Sequence, residues 1–377
     1  MALIPSARRN PVCLCMIVRD EASSITQCLA SVRPFISHWA IVDTGSQDTT
    51  PEIVRAMLND LPGKLICTAW QGDFSYHRNQ SVALAKQVVS DSALRLLFLD
   101  ADEQLVVLNP GKFRRALNER ASFCWWAVDG DWYSRKLGVV ALDEFDVWSG
   151  EIHEFVVLRN PQHAHRLVQR YAHVLYGHGG FRRREMLTAQ IDSSLLMAAV
   201  ARDPKVFRNN FFLARTLEAS QQCEAAAFYF RAAHDSKDAT LEDRWQALWG
   251  LGRVLMPFDR SGASATFLLA HELLATRAEP LVSLAEVARL QGQYAQALTL
   301  AGAALACREP TSTSMYDRSA YGWRATDEIC LSGLSLGDSA AMQTAVDGYT
   351  DILCRNALPL QERSRVLANL QVLLDRL

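Results

Sequence analysis

The chain has 377 residues, 49% of them hydrophobic and 21% charged, with a formal net charge of -2. This is the composition of a folded globular protein rather than a disordered one, and the length exceeds one compact core of average size, so two domains are expected. The nearly balanced charge argues against a nucleic-acid binder that depends on a broad basic surface, although Arg182-Arg183-Arg184 forms a local patch.

In chain order, residues 12–18 predict a strand and 23–32 a helix, with Ile25, Leu29 and Val32 at helical spacing. A second strand follows at 39–42, then a helix at 50–58 with Pro51 in its first turn. A third strand is expected at 65–69, a helix at 78–89 and a fourth strand at 94–99. Such alternation predicts a mainly parallel sheet covered by helices, with ligands bound beyond the carboxyl ends of its strands. Polar residues gather at those ends: Arg19-Asp20-Glu21, Asp43-Thr44-Gly45-Ser46, the run toward Asp73, and Asp100 to Glu103.

The last of these carries most chemistry. Leu96-Leu97-Phe98-Leu99 reads as a buried strand and runs straight into Asp100-Ala101-Asp102-Glu103. Packing does not ask for two carboxylates one residue apart at a strand tip, because partly desolvated anions repel unless a positive charge neutralises them. A divalent cation held by oxygen ligands, with a nucleotide diphosphate as companion, answers that need. An acidic surface loop is the plainer alternative.

From about residue 185 strand-like runs vanish, Ala and Leu dominate, and apolar residues recur at helical spacing. Residues 213–233 overlay 284–304, matching Ala214 to Ala285, Ala226 to Ala297 and Ala233 to Ala304. Their offset is close to two periods of a roughly 34-residue helical-hairpin repeat. Gln291-Gly292-Gln293-Tyr294-Ala295-Gln296-Ala297-Leu298 looks like a tetratricopeptide (TPR) turn, and the stretch from Trp245 to Leu274 reads as a degenerate unit between the two copies. An irregular helical bundle is the alternative. The expected division is therefore an α/β domain over 1–184 and an all-α helical-repeat domain over 185–377.

The nine cysteines lack C-x-x-C spacing, and their odd number fits a reducing compartment. Cys13 and Cys15 share one face of the first strand and are expected to pack as small apolar residues. The N-terminal segment has no apolar stretch of signal-peptide length, and no run approaches the about 20 apolar residues of a membrane span. A cytoplasmic location is expected.

Four ordered segments make the first half resemble a family 2 glycosyltransferase of the GT-A fold (Rossmann-like, mainly parallel sheet). Leu14-Cys15-Met16-Ile17-Val18-Arg19-Asp20-Glu21 looks like that family's opening strand, and Ile41-Val42-Asp43-Thr44-Gly45-Ser46-Gln47-Asp48 like its second. Asp73-Phe74-Ser75-Tyr76-His77-Arg78-Asn79 resembles the segment closing over the nucleotide, and Asp100-Ala101-Asp102 its D-x-D site. Further on, Gly150-Glu151-Ile152-His153-Glu154 and His178-Gly179-Gly180-Phe181 are similar to motifs of a bacterial subgroup with C-terminal helical repeats. The pattern departs at Arg19-Asp20, where Lys-Asn is commoner, and after His178, where Tyr-Gly-Tyr is usual. The Arg-Leu-Phe segment that often precedes the His-Glu pair is not found, so the resemblance is not carried through residues 110 to 148.

The resemblance implies an inverting, hexosyltransferase-type enzyme using a nucleotide sugar, expected to carry a UDP-linked hexose or N-acetylhexosamine, with Mn2+ or Mg2+. Carried over residue by residue, Val18, Asp20, Glu21, Asp43, Gly45, Asp73, Arg78, Asn79, Asp100 and Ala101 would bind the nucleotide sugar. Asp102 would coordinate the metal, Asp100 would hold the ribose or reach the metal through water, and His178 would complete the metal site. Asp43 can accept hydrogen bonds from a uracil-type base or ribose, and Arg78 can offer charge-assisted bonds to base or phosphates. Glu154, with His153 as fallback, would deprotonate the acceptor. The bland readings are a helix-start arginine at 78, a loop histidine at 178 and an exposed strand-end glutamate at 154. Helical repeats present concave surfaces suited to a peptide or protein acceptor, with a glycan also open, and the same module serves homodimerisation. A catalytically inactive nucleotide-sugar-binding scaffold is one alternative. A nucleotidyltransferase is another, but the residues after the first strand lack the glycine-rich loop that would hold a triphosphate.

Overall fold

The computed structural model describes residues 9–119, 121–160, 166–167, 171–177, 188–311, 313–355 and 357–377. These fall into two compact units, one within 1–129 and 134–188, the other within 130–133 and 189–377.

The first unit is built on β1 (Val12–Val18), β2 (His38–Asp43), β3 (Gly63–Cys67) and β4 (Arg95–Phe98), parallel to one another in the order β3-β2-β1-β4. In β1 the side chains alternate between two cores. Val12, Leu14, Met16 and Val18 join one cluster with helices α1 (Ile25–Val32) and α4 (Pro110–Asn118). Cys13 and Cys15 join the other, against α3 (Phe74–Val88). A strand buried on both faces reads as one unbroken apolar run, which is why β1 and β4 stand out in the sequence. Cys13 and Cys15 pack there as small apolar residues, as expected, and all nine cysteines are unpaired.

The boundaries differ from the sequence reading by up to four residues, most at α3. β3 lies two residues earlier than 65–69, because Leu65 and Ile66 pair with Ile41 and Val42 in the middle of the strand. Helix α3 starts at Phe74 rather than 78, since the Asp73 carboxylate caps it by accepting from the Tyr76 amide at 3.1 Å. Its first two turns bury Ser75, His77 and Arg78, polar residues that hide the helix from a hydrophobic-periodicity search.

Beyond β4 the sheet turns mixed. β7 (Trp132–Ala141) pairs antiparallel with β4. Past it come β6 (Phe123–Asp129), β11 (Ala172–Tyr176) and β5 (Glu103–Val107), with β11 parallel to β6 and antiparallel to β5. β8 (Phe145–Ser149) and β9 (Phe155–Leu158) form a separate antiparallel ribbon.

The second unit is almost wholly helical. Successive hairpins pair helix Phe207–Ala219 with Cys223–His234, Leu241–Leu255 with Arg260–Leu273, and Glu279–Leu290 with Tyr294–Ala306. Ala214, Ala226 and Ala233 are fully buried, as are their counterparts Ala285, Ala297 and Ala304. These are the small residues that let paired helices approach closely. A Cβ at Gly250 or Gly252 would strike the rings of Phe230 and Phe267 at 2.4 and 2.3 Å, so the middle hairpin has its own close contacts. Thr240 and Asp243 form a reciprocal capping box at the start of its first helix. Among the described residues no helix is long and apolar enough to cross a membrane.

Candidate functional site

Parallel pairing aligns the carboxyl ends of β1, β2 and β4 on one edge of the sheet, and the polar residues of the first half meet there. At the tip of β2, Asp43 is 2% exposed. Its Oδ1 accepts from the amides of Gly45 and Ser46, both at 2.8 Å, in a turn that Gly45 permits with φ +107°. Its Oδ2 is buried without a hydrogen-bond partner. A buried carboxylate oxygen in that state is an acceptor awaiting a donor.

The loop after β1 is tied to this turn. Asp20, at φ +51°, accepts from the Gln47 amide at 2.6 Å while its own amide donates to Ser46 Oγ at 2.9 Å. The Glu21 amide donates to Thr50 Oγ1 at 2.8 Å, and its carboxylate accepts from Ser24 Oγ at 2.5 Å. Val18 is buried, and its carbonyl accepts from the Thr44 amide at 2.9 Å. Val18, Asp20 and Glu21 thus shape the rim that holds Asp43.

A second cluster surrounds the end of β4. Arg78, carried by α3, donates from Nη2 to Asp100 Oδ1 at 2.7 Å and from Nε to Glu154 Oε1. Its guanidinium also lies 4.9 Å from the ring centre of Trp148. On the other side of Asp100, Lys136 of β7 donates from Nζ to Oδ2 at 2.6 Å and to both Glu103 oxygens at 2.7 Å. Glu103 Oε2 in turn accepts from the Asp100 amide at 2.9 Å. Burial works against the ionised form of Asp100, but Arg78 and Lys136 outweigh it and hold its carboxyl well below the usual carboxylate range. At Glu103 burial dominates and pushes the carboxyl up to about 7 against the pull of Lys136. Burial likewise opposes the Lys136 ammonium, yet Asp100 and Glu103 keep it protonated.

The D-x-D turn is clamped from β11. The Gly177 amide donates to the Asp102 carbonyl at 2.7 Å, and a Cβ at 177 would lie 2.1 Å from that oxygen, so only glycine fits. Ala101 is buried in the core and Asp102 is half-buried. On the opposite side, Asn79 brackets the Trp148 backbone, its amide donating to the carbonyl and its Oδ1 accepting from the N–H, both at 2.9 Å. The Phe74 amide donates to the Glu151 carbonyl at 3.0 Å. These bonds fix the loop in which Gly150, at φ +102°, and His153, at φ +51°, bring Glu154 to Arg78.

The expected residues therefore separate by role. Arg78, Asp100 and Glu154 join one network, and Asp43 stands at the same sheet edge. Asp20, Glu21, Asp73 and Asn79 direct their identified bonds to the backbone or side chains of the scaffold. His178 lies outside the described residues, as does the Arg182-Arg183-Arg184 patch. Lys136 was missed. It falls in the stretch that no motif covers, and its only signal is a lysine just before the fully buried run 138–141.

Among the described residues no group of three or more His, Cys, Asp or Glu side chains is placed to hold a metal ion. The donor chemistry still fits a hard divalent cation of the Mg2+ kind, which takes one or two carboxylates and fills its remaining positions with phosphate oxygens and water. Both oxygens of Asp100 already receive cations of the chain, and Asp102 is the neighbouring carboxylate of the same turn.

No family model matches the chain. Over 107 residues it is 30% identical to the SPbeta prophage-derived glycosyltransferase SunS of Bacillus subtilis, covering 28% of this chain and 24% of SunS. Over 96 residues it is 44% identical to a TPR repeat-containing protein of Synechococcus elongatus, covering 26% of this chain and 21% of that protein. The chain thus spans a quarter or less of the length of these curated relatives. Among solved structures, Staphylococcus aureus TarS overlaps 73% of this chain and 54% of its own at 15% identity and a TM-score of 0.31.

Proposed function

We propose that this chain is an inverting, divalent-metal-dependent glycosyltransferase. It would move a hexose or N-acetylhexosamine from a UDP-linked donor to a peptide, protein or glycan acceptor. One observation carries the reading: Arg78, Asp100 and Glu154, from three separate sequence motifs, meet in one ion-paired network at the carboxyl edge of a parallel sheet. The local similarity to SunS supports it.

In this reading the partnerless Oδ2 of Asp43 accepts the imide N–H of a uracil-type base, and Gly45 lets the turn backbone come close to it. Asp100, held between Arg78 and Lys136, presents a fixed carboxylate to the ribose. Asp102, with His178, would hold Mn2+ or Mg2+, which supplies Lewis-acid stabilisation to the leaving diphosphate. Glu154 takes the proton from the acceptor hydroxyl or thiol, and Arg78, bonded to its Oε1, keeps the carboxylate oriented. His153, in the same loop, is the alternative proton acceptor.

A thermal-shift screen of nucleotide sugars with and without Mn2+ tests the donor site, followed by hydrolysis and transfer assays on the donors that bind. Asp102→Asn should abolish turnover and leave the melting temperature within a few degrees of wild type, since 102 sits at a half-buried turn rather than in the core. Near-normal turnover of this variant with Mn2+ would remove Asp102 from the metal site. Donor binding without hydrolysis or transfer would instead mark an inactive scaffold.

A further inference from the structure

Lys136 belongs to none of the recognised motifs, yet it is the best-connected cation of the site. Its ammonium lies 2.6 Å from one Asp100 oxygen and 2.7 Å from each Glu103 oxygen, and its side chain is only 18% exposed. Arg78 takes the other Asp100 oxygen at 2.7 Å. An ion entering at Asp100 would meet the positive charges of Arg78 and Lys136, each already against one of its oxygens. Three carboxylates, Asp100, Glu103 and Glu154, are ion-paired with two cations, Arg78 and Lys136, and Asp102 of the same turn adds a fourth acid. One divalent ion balances that excess, after which an incoming diphosphate no longer meets net negative charge. Without Lys136 the Asp100 carboxylate would keep only Arg78, and the oxygen that Lys136 covers would face the incoming diphosphate.

On the donor-site reading above, we infer that Lys136 is a positioning residue of that site. It screens Asp100 and Glu103 so that a nucleoside diphosphate can approach, and it leaves the divalent ion to Asp102. Lys136 also fixes the carboxylate of Asp100 through the oxygen that Arg78 does not reach, so that Asp100 offers oriented acceptor geometry rather than metal coordination.

Calorimetric titration of the full chain separates this role from that of a brace. Mn2+ alone and UDP at saturating Mn2+ are titrated into wild type and Lys136→Met. Losing the ammonium removes repulsion toward a cation and screening toward a diphosphate, so the two affinities should part. Mn2+ binding should hold or tighten, while UDP binding weakens about ten-fold. Lys136→Arg, which keeps the charge, should recover most of the UDP affinity. Methionine leaves Glu103 buried without its cation, so the double variant Lys136→Met with Glu103→Gln serves where the single one does not fold. It keeps the formal charge of the site, so Mn2+ affinity should match wild type, and the loss of UDP affinity that persists reports the Asp100 oxygen left without its cation. The inference is overturned if UDP affinity in a folded variant stays within about two-fold of wild type, or if Mn2+ and UDP affinities fall together. Wild-type protein that binds no nucleotide with Mn2+ would sink the donor-site reading itself, a result separate from either of these.

Discussion

At Asp43 two backbone amides hold one carboxylate oxygen, so the second is aimed before any ligand arrives. Asp43→Ala should therefore weaken UDP binding by about 1.5–3 kcal/mol, or roughly ten- to a hundred-fold, because a charge-assisted hydrogen bond is lost. Mn2+ binding in the absence of nucleotide should be unaffected. The measurement is a pair of calorimetric titrations, and an unchanged UDP dissociation constant would return Asp43 to the role of a turn residue. Asp43, Arg78, Asp100 and Glu154 could be picked out from sequence because each lies at a strand end or in a short ordered motif. Lys136 could not, since its partners lie more than 30 positions away and pairing of β7 with β4 brings them together. Nor could the second duty of Glu103, whose carboxylate closes the turn by accepting the Asp100 amide.

Helix α3 shows how an element can blur the line between binding and support. It carries both Arg78 and Asn79, and Asp73 is expected at the nucleotide because the segment 73–79 resembles the one that closes over it. One oxygen of Asp73 accepts from the Tyr76 amide at 3.1 Å and from Ser75 Oγ at 2.8 Å. Replacing a capping Asp by Ala costs about 1 kcal/mol, whereas Asn caps about as well as Asp. Asp73→Ala should lower stability by that amount in denaturant unfolding and loosen nucleotide binding through Arg78, while Asp73→Asn should resemble wild type in both. Equal loss of UDP affinity in the two variants, with stability retained in Asp73→Asn, would instead place the Asp73 charge at the nucleotide. The parallel core of the first unit was legible for a physical reason, since strands buried on both faces must be apolar throughout. The mixed half of the sheet was not. β5 opens on Glu103-Gln104, β11 ends beside that turn, and nothing local in either segment announces their antiparallel pairing.

At the scale of the whole molecule, every residue placed in the donor chemistry belongs to the first unit, and the helical unit is the place to look for acceptor recognition. Its second helices leave large apolar side chains in water: Phe228 is 64% exposed, Leu268 49% and Leu269 53%. They lie on the second helices of successive hairpins, and helical-repeat arrays bind peptides across successive units. Phe228→Ser and Leu269→Ser should cut transfer to a peptide or protein acceptor several-fold, more strongly together, while leaving Mn2+-dependent hydrolysis of the donor unchanged. Exposed substitutions usually shift stability by less than about 0.5 kcal/mol, so a loss of transfer would not be a loss of folding. Sedimentation of the same variants adds the second reading of the surface. Transfer retained alongside a change from dimer to monomer would assign these side chains to self-association. Transfer and oligomeric state both unchanged would clear this face of either role and move acceptor binding to another part of the chain.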